Sequence, residues 1–116
     1  MDIIHAIKSL AALSQDTRLR AFRLLVVNGN TGMAAGKIAD ALDTPHNTMS
    51  SHLAILLQAG LIDSQRQSRS IIYRINMAGI RNLISFLVED CCQGDKDLCL
   101  PVLDSIQAAC CEPQST

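Results

Sequence analysis

Between Ala35 and Gly60 the chain packs two helix patterns around a gap of only a few residues, and this constrains the fold more than any other feature. Residues 35–42 put Ile38, Ala39 and Leu42 on one helical face. Asp43 ends that pattern. Thr44-Pro45 opens the next, because Thr caps a helix start well and Pro is tolerated at the first helical position. The second helix is predicted to run to about Ala59, where Gly60 stops it. Two helices joined in this way form a helix-turn-helix.

The next segment of the chain fits that unit. Ile71, Tyr73 and Ile75 alternate with period two and predict a strand, with residues 62–66 as its hairpin mate and Gln67, Ser68 and Arg69 at the tip. A hairpin directly after a helix-turn-helix is a wing. The expected fold is mainly α with a small β-hairpin, a winged helix-turn-helix.

Two further helices precede this unit. Residues 3–13 carry Ile3, Ile4, Ile7, Leu10 and Ala11 with almost no charge, a helix apolar over most of its circumference. Ser14 is expected to cap the next helix, with Asp16 in its first turn, Leu19, Phe22 and Val26 as a core stripe helped by Leu25, and Asn28-Gly29 as its stop. After the wing, residues 78–93 give the stripe Ile80, Leu83, Ile84, Leu87, Val88 and Cys91, ended by Gly94. The division expected is a DNA-binding and dimerisation domain over 1–93 and an acidic, cysteine-bearing tail over 94–116, where Val102, Leu103 and Ile106 form at most a short helix. One domain of this size buries only about two thirds of its unfolded surface. Helices 3–13 and 78–93 therefore predict a homodimer through these terminal helices.

Composition limits the function classes. The chain has 116 residues, enough for one domain, with 48% hydrophobic and 3% aromatic residues. No apolar run approaches a membrane span and no signal-peptide pattern opens the chain, so a cytoplasmic protein without membrane contact is expected. The net charge of −1 hides a split: residues 16–75 carry a net +3 and residues 76–116 a net −4. Such a chain can meet a polyanion through one face only. Enzyme chemistry is not expected. No cysteine is followed six positions later by Arg, there is no Cys-x-x-Cys, and no glycine-rich phosphate loop appears. All five cysteines (91, 92, 99, 110 and 111) lie in the last 26 positions. An odd number in a reducing compartment argues for free thiols or metal ligands.

On the helix over 45–59, Met49, Leu53, Leu56 and Leu57 are expected to face inward, and Asn47, Thr48, Ser51, Ile55 and Gln58 outward. His46, Asn47, Thr48, Ser50 and Ser51 form a cluster of short hydrogen-bonding side chains at its start, and the helix holds no Glu, Lys or Arg. Such side chains fit the major groove of double-stranded DNA, which a recognition helix reads from its N-terminal part. A polar start that merely caps the helix is the alternative. Arg66 and Arg69 flank the hairpin tip, where they can reach phosphate or the minor groove, or stay solvated.

Leu13-Ser14-Gln15-Asp16-Thr17-Arg18-Leu19 and the stretch from Ser50-Ser51-His52-Leu53 to Ala59-Gly60-Leu61-Ile62 resemble the two signature stretches of the ArsR/SmtB repressors, over about residues 5–92. The resemblance implies a dimeric winged helix that binds an operator and leaves it when a metal or metalloid binds, with the first and last core helices at the dimer interface. His52 falls at the Ser-x-His-Leu position of the pattern and is read as structural or phosphate-contacting. Two sensor sites of the family lack their residues here. Met33 to Leu42 contains no cysteine, and His5, His46 and His52 all lie outside helix 78–93.

There remain Cys91, Cys92 and Cys99, which resemble the family's arsenic sensors with a Cys-Cys pair and a third cysteine just past the last core helix. Three thiolates suit a soft ion. Trivalent arsenic (arsenite) or antimony, bound by three thiolates per subunit, is the expected inducer, and release of the operator would derepress arsenic-resistance genes. No small organic substrate is expected. Two alternatives stay open: zinc or cadmium sensing with Asp97 as a fourth ligand, and redox sensing by Cys92 and Cys99. Cys110 and Cys111 read as an incidental tail or as a second, weaker thiol site.

Overall fold

The computed structural model describes residues 2–88. Helix α1 (Ile3–Leu13) leads to α2 (Asp16–Asn28), strand β1 (Met33–Ala34), α3 (Ala35–Ala41), α4 (His46–Gln58), β2 (Ile62–Gln67), β3 (Ser70–Ile75) and α5 (Met77–Leu87). The chain divides into two units, residues 1–83 and 84–116. Of the second, the described part is the end of α5, where the Val88 N–H donates to the Ile84 carbonyl at 3.1 Å.

The first unit is a winged helix-turn-helix. Its interior is built from Leu25 of α2, Ile38 of α3, Met49, Leu53 and Leu56 of α4, and Leu61 and Ile62 at the start of the wing, all essentially inaccessible. Each such side chain contributes about 1.5–3 kcal/mol by leaving water. β2 and β3 pair antiparallel from Ile62 opposite Ile75 to Gln67 opposite Ser70. The two-residue β1 adds Met33 opposite Tyr73 and Ala34 opposite Ile72, so the wing is a three-stranded sheet in the order β1-β3-β2.

Helix ends show where local chemistry departs from expectation. Ser14 does not cap α2: its hydroxyl donates back to the Ala11 carbonyl at 2.9 Å and closes α1. The cap of α2 is Gln15, whose Oε1 accepts the Arg18 N–H at 2.8 Å. Thr44 likewise donates to the Leu42 carbonyl at 3.0 Å and leaves the N-cap of α4 to Pro45. Within α2 the buried residues are Ala21 and Leu25, while Leu19 and Val26 stay exposed. The stripe is turned from the expected one because Leu19, Phe22, Leu24, Leu25, Val26 and Val27 surround the helix on several sides. Leu57 of α4 is also exposed, not buried. Helix α5 starts at Met77 and is described to Leu87, with Val88 in a turn. Residues 89–93 of the helix expected over 78–93, the tail 94–116 with its expected short helix, and all five cysteines lie outside the described residues.

Both helices of the motif end in the same way. After α3, the Asp43 N–H reaches the Asp40 carbonyl and the Thr44 N–H the Ala39 carbonyl, with Asp43 left-handed at φ 51°. After α4, the Gly60 N–H reaches Leu57 and the Leu61 N–H reaches Leu56, with Gly60 at φ 79°. These are paired Schellman closures, and the second buries Leu61 over Leu56. A glycine is required again at Gly79, where a Cβ would stand 1.9 Å from the Gly60 carbonyl oxygen. The first turn of α5 thus sits directly on the end of α4. Among the described residues no helix is long and apolar enough to cross a membrane.

Candidate nucleic-acid interface

Met49, Leu53 and Leu56 are wholly buried and fix which side of α4 points outward. Asn47, Thr48, Ser50 and Ser51 are all exposed on it, together with Ile55 and Gln58. Among the described residues no side chain caps the helix. Its first turn begins with the Met49 N–H on the Pro45 carbonyl at 2.9 Å, and the Asn47 amide oxygen accepts the Thr48 N–H at 2.9 Å. The Ser51 hydroxyl donates to the Asn47 carbonyl at 3.4 Å. These groups are short, uncharged and able to donate or accept, which is what base edges in a major groove require.

His46 is exposed but engaged. Its Nε2 lies 3.0 Å from Asp40 Oδ1, and the ring stands 3.5 Å from where a Cβ on Gly36 would be. The ring thus braces the turn by holding the start of α4 against α3. An exposed pair of this kind adds little to stability.

His52 is half-buried beneath the exposed face. Arg18 of α2 places Nη1 3.3 Å from His52 Nδ1. Arginine has no acceptor, so Nδ1 must accept and the ring is neutral with its proton on Nε2. Burial first, and the Arg18 charge second, hold the His52 pKa below the ordinary histidine value. Arg18 also donates from Nε to the Ala12 carbonyl at 2.7 Å and from Nη2 to the Ala11 carbonyl at 3.4 Å. Sequence patterning has no signal for this contact, since Arg18 and His52 are 34 positions apart.

In the wing, Arg66 and Arg69 are both exposed at the tip, where Ser68 adopts φ 57° and its carbonyl accepts from Arg66 Nε at 3.4 Å. Arg74, which the pattern does not single out, braces the base of the wing by donating to Gln65 Oε1 and to the Asn30 carbonyl. The structure therefore leaves Asn47, Thr48, Ser50, Ser51, Arg66 and Arg69 open to solvent and ties His46 and His52 to neighbouring elements. Among the described residues no group of three His, Cys, Asp or Glu side chains is placed to hold a metal. Cys91, Cys92 and Cys99 lie beyond them.

Comparison with known proteins bears on this arrangement. Residues 13–65 match the family model for a helix-turn-helix domain. The chain is 32% identical over 87 residues to the transcriptional repressor SdpR of Bacillus subtilis (strain 168), a match covering 75% of this chain and 93% of that one. Its fold resembles an ArsR-like transcriptional regulator from Rhodococcus sp. RHA1, with a TM-score of 0.67 and 25% identity over 89% of this chain and 92% of that one. It also resembles the homodimeric winged helix-turn-helix DNA-binding domain (fragment 1-100) of Mb0332 from Mycobacterium bovis. There the TM-score is 0.62, with 24% identity over 76% of this chain and 82% of that one.

Proposed function

The chain belongs to the winged helix-turn-helix transcriptional regulators, DNA-binding proteins and not enzymes, and we propose that it is a homodimeric repressor whose inducer is trivalent arsenic or antimony. One observation carries the DNA half of this reading. The exposed start of α4 offers Asn47, Thr48, Ser50 and Ser51, with no charged side chain among them, on a helix fixed by a fully buried opposite face. Arg66 and Arg69 on the wing tip supply the cations that phosphate contact needs. Repression is supported by the likeness to SdpR, itself a repressor. A homodimer is supported by the exposed Ile3, Ile4, Ile7 and Leu10 of α1 and by the homodimeric Mb0332 domain.

The inducer half rests on the donor set. Cys91, Cys92 and Cys99 supply three thiolates with no histidine near them in sequence, which fits the three-sulfur pyramid of a trivalent metalloid better than the tetrahedron zinc requires. Such an inducer would supply a cross-link between the Cys91-Cys92 pair and Cys99, across the acidic segment 95–97. It releases DNA only if the chain binds it better in the DNA-free arrangement, and a coupling of about 1–3 kcal/mol lowers operator affinity about 5–150-fold. Release would derepress arsenic-resistance genes.

Titrating arsenite against the protein on DNA tests this reading. Replacing Cys91, Cys92 or Cys99 singly by Ser is expected to leave DNA binding intact and abolish release, whereas replacing Cys110 and Cys111 changes little. Release of the Cys99→Ser protein at the parent's arsenite concentration contradicts the three-thiolate site. Release by an oxidant but not by arsenite assigns the thiols to redox sensing instead.

A further inference from the structure

We propose that Arg18 is a positioning residue for DNA binding, fixing the recognition helix α4 against the end of α1 through the His52 ring. The proposal rests on the DNA-binding reading and adds to it the device that holds α4 in place.

The guanidinium forks between two helices. Nε and Nη2 donate to the carbonyls of Ala12 and Ala11, 2.7 and 3.4 Å away, while Nη1 donates to His52 Nδ1 at 3.3 Å. Both carbonyls belong to the last turn of α1, whose partial negative charge favours a cation. The Ala11 carbonyl also accepts the Ser14 N–H and hydroxyl, so the Nε bond to Ala12 is the main tie. A lysine, with one compact ammonium, cannot serve three acceptors in this planar arrangement. A second tie runs parallel to the first: Ser9 of α1, fully buried, donates its hydroxyl to the Ala59 carbonyl at the end of α4, 3.3 Å away. Helix α4 is thereby joined to α1 both at its middle and at its end.

This matters for reading DNA for two reasons. His52 is adjacent to Ser51 and two residues from Ser50, so a displaced ring displaces the exposed face. Helix α1 also carries the outward apolar residues of the proposed dimer, and half-site spacing depends on how far apart two recognition helices are held. The tie works only while the ring is neutral. Among the described residues Arg18 is the charged group that bears on His52, and a protonated ring would set two cations against each other. Unbound protein tolerates that loss more easily than a complex that needs α4 in one place. Acidification through the lowered His52 pKa therefore weakens DNA binding, the opposite of what a histidine contacting phosphate would do.

The test compares the full-length parent, Arg18→Gln, His52→Asn and the double variant, on a duplex that the parent selects from a random-sequence pool, across pH and salt. Arg18→Gln is expected to weaken binding about two- to thirtyfold, with the salt slope unchanged and the double variant no weaker than Arg18→Gln. His52→Asn puts an amide oxygen close to where Nδ1 stands, so it keeps neutral-pH affinity and removes the acid-side loss. Imidazole ¹⁵N shifts measured without DNA should show Nδ1 unprotonated in the parent. They should also show a higher His52 pKa in Arg18→Gln, and in the event that this variant does not fold, the parent shifts and the His52→Asn pH profile decide. A double variant weaker than Arg18→Gln, a salt slope reduced by about one as for a phosphate contact, or an acid-side loss that survives in His52→Asn would overturn the proposal. A parent that selects no duplex removes the DNA-binding reading and this proposal with it, while a parent that binds but loses nothing in Arg18→Gln overturns this proposal alone.

Discussion

Helices α1 and α4 are of similar length and each carries large apolar residues, yet these are placed in opposite ways. α4 buries Met49, Leu53 and Leu56 at 0% exposure and leaves Ile55 and Leu57 open at 39% and 37%. α1 buries Ala6, Ser9 and Ala12 and turns Ile3, Ile4, Ile7 and Leu10 outward at 61%, 74%, 59% and 43%. Small inward residues let α1 lie close on α2 and α4, close enough for the Ser9 hydroxyl to reach the Ala59 carbonyl. The large residues then have nothing to cover them within the described part of the chain. A contiguous apolar face of this kind marks an interaction surface. Neither hydrophobicity nor residue size alone says which side of a helix faces the core; what packs against each side does.

Mutation can break the contrast from either side, and the largest effect belongs to α4. Leu53→Ala removes a wholly buried side chain and is expected to cost about 2–5 kcal/mol in denaturant unfolding. Ile4→Ala, exposed on α1, is expected to cost the isolated fold almost nothing. Equal losses at the two positions would end the distinction drawn between the helices. A smaller effect lies on the exposed side of α4. Asn47→Ala or Ser51→Ala is expected to reduce discrimination between a selected duplex and random DNA by about 1–3 kcal/mol without changing stability, as competition binding reads directly. The smallest belongs to the wing: Arg69→Ala should weaken binding to all duplexes alike and lower the salt slope by about one. If Ser51→Ala and Arg69→Ala act equally on every sequence, base reading does not reside in α4.

How far the chain can be read without coordinates differs by element for physical reasons. The turn Asp43-Thr44-Pro45, the stop at Gly60 and the alternation Ile71-Tyr73-Ile75 are local signals, and α3, α4 and the β2–β3 hairpin stand where they point. In α2 the spacing points to the wrong face, because a helix with apolar residues on several sides offers a pattern no single direction. The caps expected at Ser14 and Thr44 are not formed, because a hydroxyl can bond backward or forward and only the backbone conformation decides. β1 leaves no trace in the sequence, since two residues carry no periodicity and pair only because β3 lies beside them. For the site, the exposed polar start of α4 follows from its apolar spacing. The Arg18 fork does not, because it depends on three helices meeting.

The outward face of α1 is expected to be covered by a second copy of the chain. Sedimentation equilibrium of the full-length protein at micromolar concentration, beside an Ile4→Glu/Ile7→Glu variant, tests it most directly. The parent is expected to sediment as a dimer, and the variant as a folded monomer whose far-ultraviolet helical signal is retained and whose affinity for the selected duplex is reduced. A parent that sediments as a stable monomer, or a variant that remains dimeric, would contradict it.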